Sequence, residues 1–505
     1  MINRVILSVT LLFSISSFAT ADEVSLAWET SPRTIDPRYA NDANSQYLAD
    51  LVHCSLISFD RDGNLKMQAA RTSTWLNSKT LAIQLQENIR FSDGSLVTPE
   101  DIVATYNFFK RPPTSATPSA LANAFKKMKS VRASGPGQVI FELEEPDASF
   151  IDNLMIGILP KRLAERKMIE KDEGMVGCGP FTLSKIEINN YVLTRNNHFS
   201  LGPKAKITRI AIKIVHDDTT RFAKLVKGEL DLVQNGIGRD KLKTIQTQYP
   251  QLKIVERPGL NVTYIGFNFR DKTLAHKDVR QAIAMALNRP EIIKYLLQDT
   301  AEPAASFLTQ GNPYRNNTLP TVPFDIAKAK TLLDGAGFPQ PDTNQPRLSL
   351  SLKTTADNTR VSIAQGIAGQ LRKVGIKVEV QALEWGKFKS DVEKGQVQMW
   401  LMNWVGFKDP DIFRYAFATE SFPPNGGNRG WYSNPQLDAL LGSARTFTDI
   451  AKRKPLYDQA QTIIASDLPY VFLWHDKNFA VLNKALKNFE LYADGRLSSL
   501  AEVTK

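Results

Sequence analysis

Apolar residues recur with a helical period in several segments of this 505-residue chain. In "NIRFSDGSLVTPEDIVATYNFF", an extended stretch ends in a turn at Asp93 and Gly94, and Thr98 then caps a helix, with Asp101 three residues beyond the cap. The apolar residues that follow at helical spacing are Ile102, Val103, Tyr106 and Phe109. Residues three and four apart share one face of a helix, so this pattern predicts a helix packed against the core.

Three later segments contain the proline or glycine that ends a helix. "DVRQAIAMALNRPEII" predicts a helix that ends near Asn288 and a second helix that starts around Pro290, because proline cannot continue a helix. "FDIAKAKTLLDGAGF" predicts a short amphipathic helix with Gly337 near its end. "IAGQLRKVGIKVEVQALEW" predicts a helix capped by Gly375 and then an alternating strand. Helices and strands alternate through most of the chain, which predicts an α/β fold.

The first 21 residues have the pattern of an export signal. Arg4 precedes an apolar run that is too short to span a bilayer, and Ala19-Thr20-Ala21 follows as a small-residue cleavage site. No cysteine follows the cleavage site, so the sequence predicts a periplasmic protein without a lipid anchor. The remaining chain of about 480 residues exceeds the size at which one hydrophobic core keeps growing, so we expect two or three domains.

The net charge of +11 is moderate for this length. The densest basic runs, "KKMK" at 126–129 and "KRK" at 452–454, are not interleaved with the aromatic residues that a nucleic-acid channel needs. We therefore expect no nucleic-acid partner.

Familiar catalytic and metal-binding patterns are absent from the sequence. There is no G-x-S-x-G elbow, P-loop or H-E-x-x-H, and the histidines and cysteines lack metal-ligand spacing. "DRDGN" at 60–64 begins like a calcium loop, but Arg71 stands where the final glutamate belongs, so a hairpin turn is predicted instead. We expect no metal and no cofactor, and a binding protein rather than an enzyme.

The segments quoted above are joined by others that match one family in order and spacing. They are "PRTIDP", "LISFDRDGNLKMQAARTSTWL", "VGCGPFTLSK", "YIGFNFRDKTLAHKDVRQAIAMALNRPEII", "VGIKVEVQALEWGKF" and "NWVGFKDPDIF". Together they resemble the extracellular solute-binding proteins of family 5, the peptide-binding proteins of ABC importers. The resemblance implies an α/β, bilobal periplasmic-binding-protein fold of the large three-domain clamshell type. It also implies a monomer whose partners are a peptide or peptide-like ligand and an ABC permease with its ATPase subunits.

The matching motifs also imply domain boundaries. Domain I is expected at 22–54, 177–262 and 477–505, the inserted domain II at 55–176, and domain III, the second lobe, at 263–476. The hinge is then expected at the two chain crossings near 263 and 476.

Two cysteines, Cys54 and Cys178, occur in a chain whose compartment allows oxidation. By resemblance they lie on the two connections between the first and second domains. We predict a disulfide there, with two buried free thiols as the alternative.

The binding-site expectation centres on "NWVGFKDPDIF". In many peptide-binding relatives the loop that begins with the matching tryptophan carries an aspartate three residues on, which pairs with the peptide ammonium. Counting from Trp404, this position is Phe407. Either Asp409 or Asp411 replaces that anchor, or the ligand has no ammonium at this end. The alternative roles are a turn residue for Asp409 and a solvent-facing or helix-start acid for Asp411.

Further ligand-binding candidates flank this loop or the presumed hinge. The full predicted set is Arg33, Thr34, Tyr264, Asn268, Asn403, Trp404, Phe407 and Asp409. Core packing is the alternative for Trp404, strand bridging for Asn268, and turn formation for Arg33 and Thr34.

The predicted function is therefore the capture of a peptide or peptide-like solute in the periplasm for an ABC importer. Within the family, the alternative is a non-peptide solute such as a metal chelate or haem. Outside it, the alternatives are a secreted enzyme and a sensor that presents its ligand to a membrane receptor.

Overall fold

The computed structural model describes residues 22–114, 116–170, 175–341, 345–406 and 409–505. In these ranges no helix combines the length and the apolar character needed to cross a bilayer. The predicted export signal and the predicted site residue Phe407 lie outside the described residues.

Strands and helices alternate along the chain, as the sequence pattern predicts. The strands are β1 (Glu23–Trp28), β2 (Ile57–Phe59), β3 (Leu65–Met67), β4 (Ala70–Asn77), β5 (Thr80–Leu85), β6 (Met128–Ala133), β7 (Gln138–Leu143), β8 (Phe181–Glu187), β9 (Asn190–Arg195), β10 (Arg209–Ile214), β11 (Leu232–Gln234), β12 (Leu252–Phe267), β13 (Ala301–Pro303), β14 (Leu348–Thr355), β15 (Ile376–Leu383), β16 (Met399–Trp404) and β17 (Tyr470–Asn483). The α-helices are α1 (Ala43–Val52), α2 (Pro99–Lys110), α3 (Lys161–Ala164), α4 (Asp218–Val226), α5 (Arg239–Gln248), α6 (Lys277–Met285), α7 (Arg289–Leu296), α8 (Ile326–Gly335), α9 (Asn358–Arg372), α10 (Trp385–Lys394), α11 (Ile412–Phe417), α12 (Pro435–Ala444) and α13 (Ile450–Asp467). Short 3-10 helices cover Ala120–Phe125, Ala148–Asn153, Thr419–Ser421 and Ser498–Ala501.

Local signals in the sequence explain where several helices begin and end. At the start of α2, the carboxylate of Asp101 accepts the backbone N–H of Thr98 at 2.8 Å, which confirms the predicted cap. Helix α6 ends before Asn288 and α7 begins at Arg289, as predicted, and the structure adds that the side chain of Asn288 caps α7. Gly375, with φ of 82°, connects α9 to β15 and supplies the left-handed conformation that other residues avoid.

A large mixed sheet forms the centre of the molecule. Its strands lie in the order β15-β14-β16-β12-β17-β11-β1-β10-β9-β8, and β13 also pairs with β17. The long strands β12 and β17 are antiparallel, with a register shift between Pro258 and Val262. From Val262 onwards, β12 also pairs with β16. On the opposite side of the shift, the C-terminal part of β17 also pairs with β11. Two strands therefore continue from one half of the sheet into the other.

The predicted lobe crossings, near 263 and 476, fall at this register shift. We call 22–262 and 477–505 the first lobe and 263–476 the second lobe. The residue numbers of these boundaries stay a prediction.

The predicted inserted domain, 55–176, contains a sheet of its own. Its strands lie in the order β4-β5-β7-β6, and β2 and β3 form the hairpin predicted for "DRDGN". At its base the sulfur atoms of Cys54 and Cys178 are bonded, which confirms the predicted disulfide. The bond joins the two chain connections that lead into this domain.

Strand alternation in the second lobe separates two cores. Ile265 and Leu401 lie in an aliphatic core with helices α6, α8 and α9. Their neighbours Tyr264 and Trp400 point to the opposite face, into an aromatic core that includes Tyr470. The aromatic face is the one that carries the candidate site.

Candidate functional site

Trp404 and Tyr264, two of the predicted site residues, lie in one aromatic cluster. Tyr264 is fully buried, and its ring centre lies 6.3 Å from that of Trp404 and 4.1 Å from that of Tyr470. Trp404 is the last residue of β16 and keeps 7% of its surface exposed. The next residue, Val405, is 65% exposed, so the chain leaves the core at this point. The structure thus brings the two predicted residues together at the edge of the aromatic core.

Arg429, which sequence reasoning missed, covers Trp404. Its guanidinium carbon lies 4.6 Å from the centre of the Trp404 ring, and Nη1 points to Sδ of Met402 at 3.9 Å. A Cβ at Gly427 would lie 2.7 Å from both Trp404 Cη2 and Tyr415 Cε1, so glycine is needed for this approach. An arginine in a glycine-rich loop carries no recognisable sequence signal. Its place over Trp404 is therefore known only from the fold.

Asp409 lies in an ion pair with Arg453. Oδ2 accepts from Nη1 at 3.0 Å, and Oδ1 accepts from Nη2 at 3.1 Å. Arg453 also donates to the hydroxyl groups of Tyr314 at 3.1 Å and Tyr457 at 3.4 Å. Burial raises the pKa of the Asp409 carboxyl, and the neighbouring Arg453 opposes this rise. A ligand ammonium at Asp409 would therefore have to compete with Arg453.

Asp411, the other acid considered in this loop, precedes α11 and has arginine partners. Both of its carboxylate oxygens accept from Nε of Arg414 at 3.2 Å, and Nε of Arg445 lies 3.6 Å from Oδ1. Arg445 also reaches the first lobe, where its Nη2 lies 3.2 Å from Asp147 and its carbonyl accepts the N–H of Ala148 at 3.3 Å. The two lobes touch at this point.

The amide of Asn268 is occupied by backbone groups. Its Nδ2 donates to the carbonyls of Gly395 at 3.1 Å and Val397 at 2.8 Å, and its Oδ1 accepts the N–H of Arg270 at 3.0 Å. This arrangement favours the strand-bridging alternative for Asn268. Asn403, another candidate, is half-buried in the pairing between β16 and β12.

Arg33 and Thr34 follow β1 in the first lobe. Arg33 is exposed. The N–H of Thr34 donates to Ser45 Oγ at 3.2 Å, and its Oγ1 accepts the N–H of Asp36 at 3.0 Å. These bonds favour turn formation for Thr34. In the described part of the chain, neither residue makes a hydrogen bond to the second lobe.

A cavity of about 640 Å³ lies between the lobes. Its lining includes Phe59, Asn64 and Trp75 from the first lobe and Tyr314, Asp409 and Arg453 from the second. This volume lies in the range of cavities that enclose small ligands. Among the described members of the predicted site, Asp409 lines the cavity, whereas Trp404 and Tyr264 lie in the adjoining aromatic core.

Charged side chains of both lobes also meet beside the crossing. Nη2 of Arg239, from the first lobe, lies 3.9 Å from Oδ1 of Asp476 on β17. Burial raises the pKa of the Asp476 carboxyl, and Arg239 and Arg360 oppose this rise. Because Arg239 belongs to the first lobe and Arg360 to the second, arginines of both lobes act on the Asp476 carboxylate.

The order of these segments along the chain matches one protein family. Residues 68–424 match the description "Bacterial extracellular solute-binding proteins, family 5 Middle". This chain belongs to that family. The family 5 protein is 28% identical over 498 residues to the glutathione-binding protein GsiB of Shigella flexneri, covering 96% of this chain and 95% of that one. It is also 26% identical over 486 residues to the oligopeptide-binding protein AppA of Bacillus subtilis. That match covers 91% of this chain and 87% of AppA.

A solved structure of similar fold is NikZ from Campylobacter jejuni in complex with Ni(L-His). The TM-score is 0.77 at 26% identity, and the match covers 96% of the family 5 protein and 100% of that chain. The predicted family and the predicted α/β, bilobal fold are therefore confirmed. The ligand-binding roles of the individual residues stay predictions.

Proposed function

We propose that this protein is the substrate-binding component of an ABC importer, which captures a peptide or peptide-like solute between its lobes and delivers it to the membrane permease. The observation that carries the proposal is the cavity of about 640 Å³ with walls from both lobes. Relatives named for oligopeptide and glutathione binding support a peptide-like ligand.

Closure of the lobes explains how binding is signalled. Strands β12 and β17 continue from one lobe into the other, and their ladder is interrupted between Pro258 and Val262. A ligand that touches both lobes stabilises the closed state more than the open one, because closure adds the contacts of the second lobe. The permease then recognises the closed protein. ATP hydrolysis belongs to the ATPase subunits, and the binding protein itself catalyses no reaction.

A non-peptide solute, such as a metal chelate or haem, is the second candidate. Asp409 favours it, because its carboxylate is already held by Arg453 and offers a ligand ammonium no free partner. The similarity to NikZ, whose structure is a complex with Ni(L-His), supports the same candidate.

Export precedes this function. Removal of residues 1–21 would release the chain, as a monomer, into the periplasm. Protein recovered from the periplasm should begin at Asp22, as N-terminal sequencing would show; a chain that still begins at Met1 would contradict cleavage.

The decisive experiment is mass spectrometry of the small molecules that leave the protein when it is purified from its native host and denatured. A ladder of peptides supports peptide capture, and a single non-peptide species supports the second candidate. X-ray scattering of the ligand-free and ligand-bound protein should show compaction on binding. Unchanged dimensions at saturation would count against closure.

A further inference from the structure

A second cavity, of about 200 Å³, lies beside the crossing of β12 and β17. Its walls belong to both lobes: Pro258 and Ala493 come from the first lobe, and Gln310 and Gly311 come from the second. The side chain of His475, on β17, lines the same cavity. Because the walls belong to different lobes, separation of the lobes opens this cavity to water.

Main-chain groups of both lobes enclose the imidazole of His475. The residue is 5% exposed, and its Nδ1 lies 3.3 Å from the carbonyl oxygen of Asn261. Asn261 lies in the first lobe, inside the interruption of the β12–β17 ladder. Ser306 of the second lobe provides a further main-chain contact. The ring is therefore buried only as long as the two lobes stay together at this point.

Four charged side chains line the cavity together with His475. They are Asp62 and Arg257 of the first lobe and Glu302 and Arg315 of the second. Nη2 of Arg257 donates to Asp62 at 2.5 Å, so these two charges compensate each other. Glu302 is exposed to water. Arg315 repels a positive charge on the ring and so lowers the pKa of His475. A protonated imidazole is therefore unfavourable in the closed cavity.

Burial is the largest cause of this effect, and it lowers the pKa of His475 to about 4, against the opposing main-chain hydrogen bonds. When the lobes separate and water enters the cavity, the pKa should return towards the ordinary value of about 6.5. The open state then binds a proton more tightly than the closed state. By linkage, a fall in pH from 6.5 towards 4 shifts the equilibrium towards the open state.

We propose that His475 couples lobe opening to protonation: the closed protein holds the imidazole neutral, and a proton on it favours the open state. This inference rests on the lobe closure of the proposed function and adds a control by protons to it. An acidic periplasm would then favour release of the solute. Between pH 7.5 and pH 5, the ratio of open to closed protein should rise by up to about thirtyfold.

His53 provides a matched control. It is 2% exposed, and burial lowers its pKa to about 4 as well. Its surroundings belong to the first lobe alone, since a Cβ at Gly157 or Gly177 would lie within 2.9 Å of its side chain. Unfolding exposes both histidines, whereas separation of the lobes exposes only His475.

The test follows the imidazole Cε1–H signals by NMR in protein labelled with ¹³C-histidine, together with the radius of gyration by X-ray scattering, from pH 7.5 to pH 4.5. Wild type is measured as purified and again after unfolding in urea, dialysis and refolding, which removes bound solute. The variants His475→Gln and His53→Asn assign the two signals. His475→Gln keeps a donor for the carbonyl of Asn261 but does not titrate.

We expect the pKa of His475 to be about 4 in samples of compact dimensions and near 6.5 in expanded samples. The pKa of His53 should stay at about 4 in both. Acidification to pH 5 should expand compact wild type and compact His53→Asn but not His475→Gln. Thermal unfolding at pH 5 separates opening from loss of folding, and His475→Asn replaces His475→Gln if the latter does not fold.

Three outcomes overturn the proposal. The first is a pKa of His475 that stays at about 4 in an expanded protein. The second is an acid expansion that survives in His475→Gln, which would assign the effect to another group, such as Asp476 with its partner Arg239 in the first lobe. The third is a solute-free wild type that stays compact at pH 5. All three leave solute capture intact, whereas equal dimensions with and without solute at every pH would contradict the proposed closure as well.

Discussion

The two carboxylate oxygens of Asp409 face the two terminal nitrogens of Arg453, at 3.0 and 3.1 Å, on the wall of the interlobe cavity. Removing one charge of such a pair leaves the other buried without a partner. We expect Asp409→Asn to lower the free energy of unfolding by about 3 to 5 kcal/mol, measured by urea denaturation. The double variant Asp409→Leu, Arg453→Met should recover most of the loss.

Asp458 provides the control for this prediction. It pairs with Lys454 at 2.7 Å on the surface of α13. Asp458→Asn should change stability by less than about 1 kcal/mol. An Asp409→Asn variant as stable as Asp458→Asn would show that the Asp409 pair does not hold the second lobe together.

The disulfide between Cys54 and Cys178 closes a sequence separation of 124 residues. In the chain-entropy description, a loop of this length stabilises the folded state by roughly 5 kcal/mol. We expect reductant to lower the melting temperature of wild type and to leave the Cys54→Ser, Cys178→Ser double variant unaffected. Alkylation of the denatured protein without reductant should add no mass. Two added groups would contradict the bond in the exported protein.

Arg445 connects the lobes through Asp147 and the carbonyl contact to Ala148. Because this contact exists only when the lobes are close, Arg445→Gln should shift the equilibrium towards the open state. We expect a larger radius of gyration by X-ray scattering and an affinity for the released ligand about two- to tenfold weaker. Arg71→Gln, which breaks an exposed ion pair with Glu87, should change neither quantity.

Gly427 lies against Trp404 and Tyr415, where a Cβ would approach both rings to 2.7 Å. Gly427→Ala should therefore lower the free energy of unfolding by about 1 to 3 kcal/mol and change the fluorescence of Trp404. In contrast, Gly442 in α12 has open space around its Cα. Gly442→Ala should stabilise by about 0.5 to 1 kcal/mol, because alanine favours the helix. Equal effects of the two changes would contradict the close packing at Trp404.

Two buried histidines predict a loss of stability in acid. Burial lowers the pKa of His53 and of His475 to about 4. In the unfolded chain each histidine binds a proton near pH 6.5, whereas in the folded protein it does so only near pH 4. The contribution of each histidine to the free energy of unfolding is therefore complete above pH 6.5 and is lost as the pH falls towards 4. The loss at pH 5 should be on the order of 2 kcal/mol per histidine. Urea denaturation at pH 7 and pH 5 measures it.

His53→Asn and His475→Asn should each reduce this pH dependence by that amount. His216→Gln, at an exposed position, should leave it unchanged. A pH dependence that survives in the double variant His53→Asn, His475→Asn would assign the acid sensitivity to other groups.

Several features followed from the sequence because they depend on short stretches of chain. The cap at Thr98, the helix break at Asn288 and the turn at Gly375 each involve residues within a few positions, whose conformational preferences act locally. The pairing of Cys54 with Cys178 was predicted as well, because the order of the family's motifs places both on connections of one domain.

The partners of the candidate site could not be predicted in the same way. Asp409 and Arg453 are 44 residues apart, and no periodic pattern relates them. Asn268 was a ligand candidate by its place near the presumed hinge, but the pairing of distant strands occupies its amide with the carbonyls of Gly395 and Val397.

By itself, the sequence determined the alternation of helices and strands, the helix ends, the family and the cysteine pair, because local preferences and an ordered set of motifs encode them. Only the tertiary structure decided that Arg453 neutralises Asp409 and that the guanidinium of Arg429 lies over the ring of Trp404. These are contacts between side chains that distant segments bring together, and their charge balance depends on burial and distance that no stretch of sequence specifies.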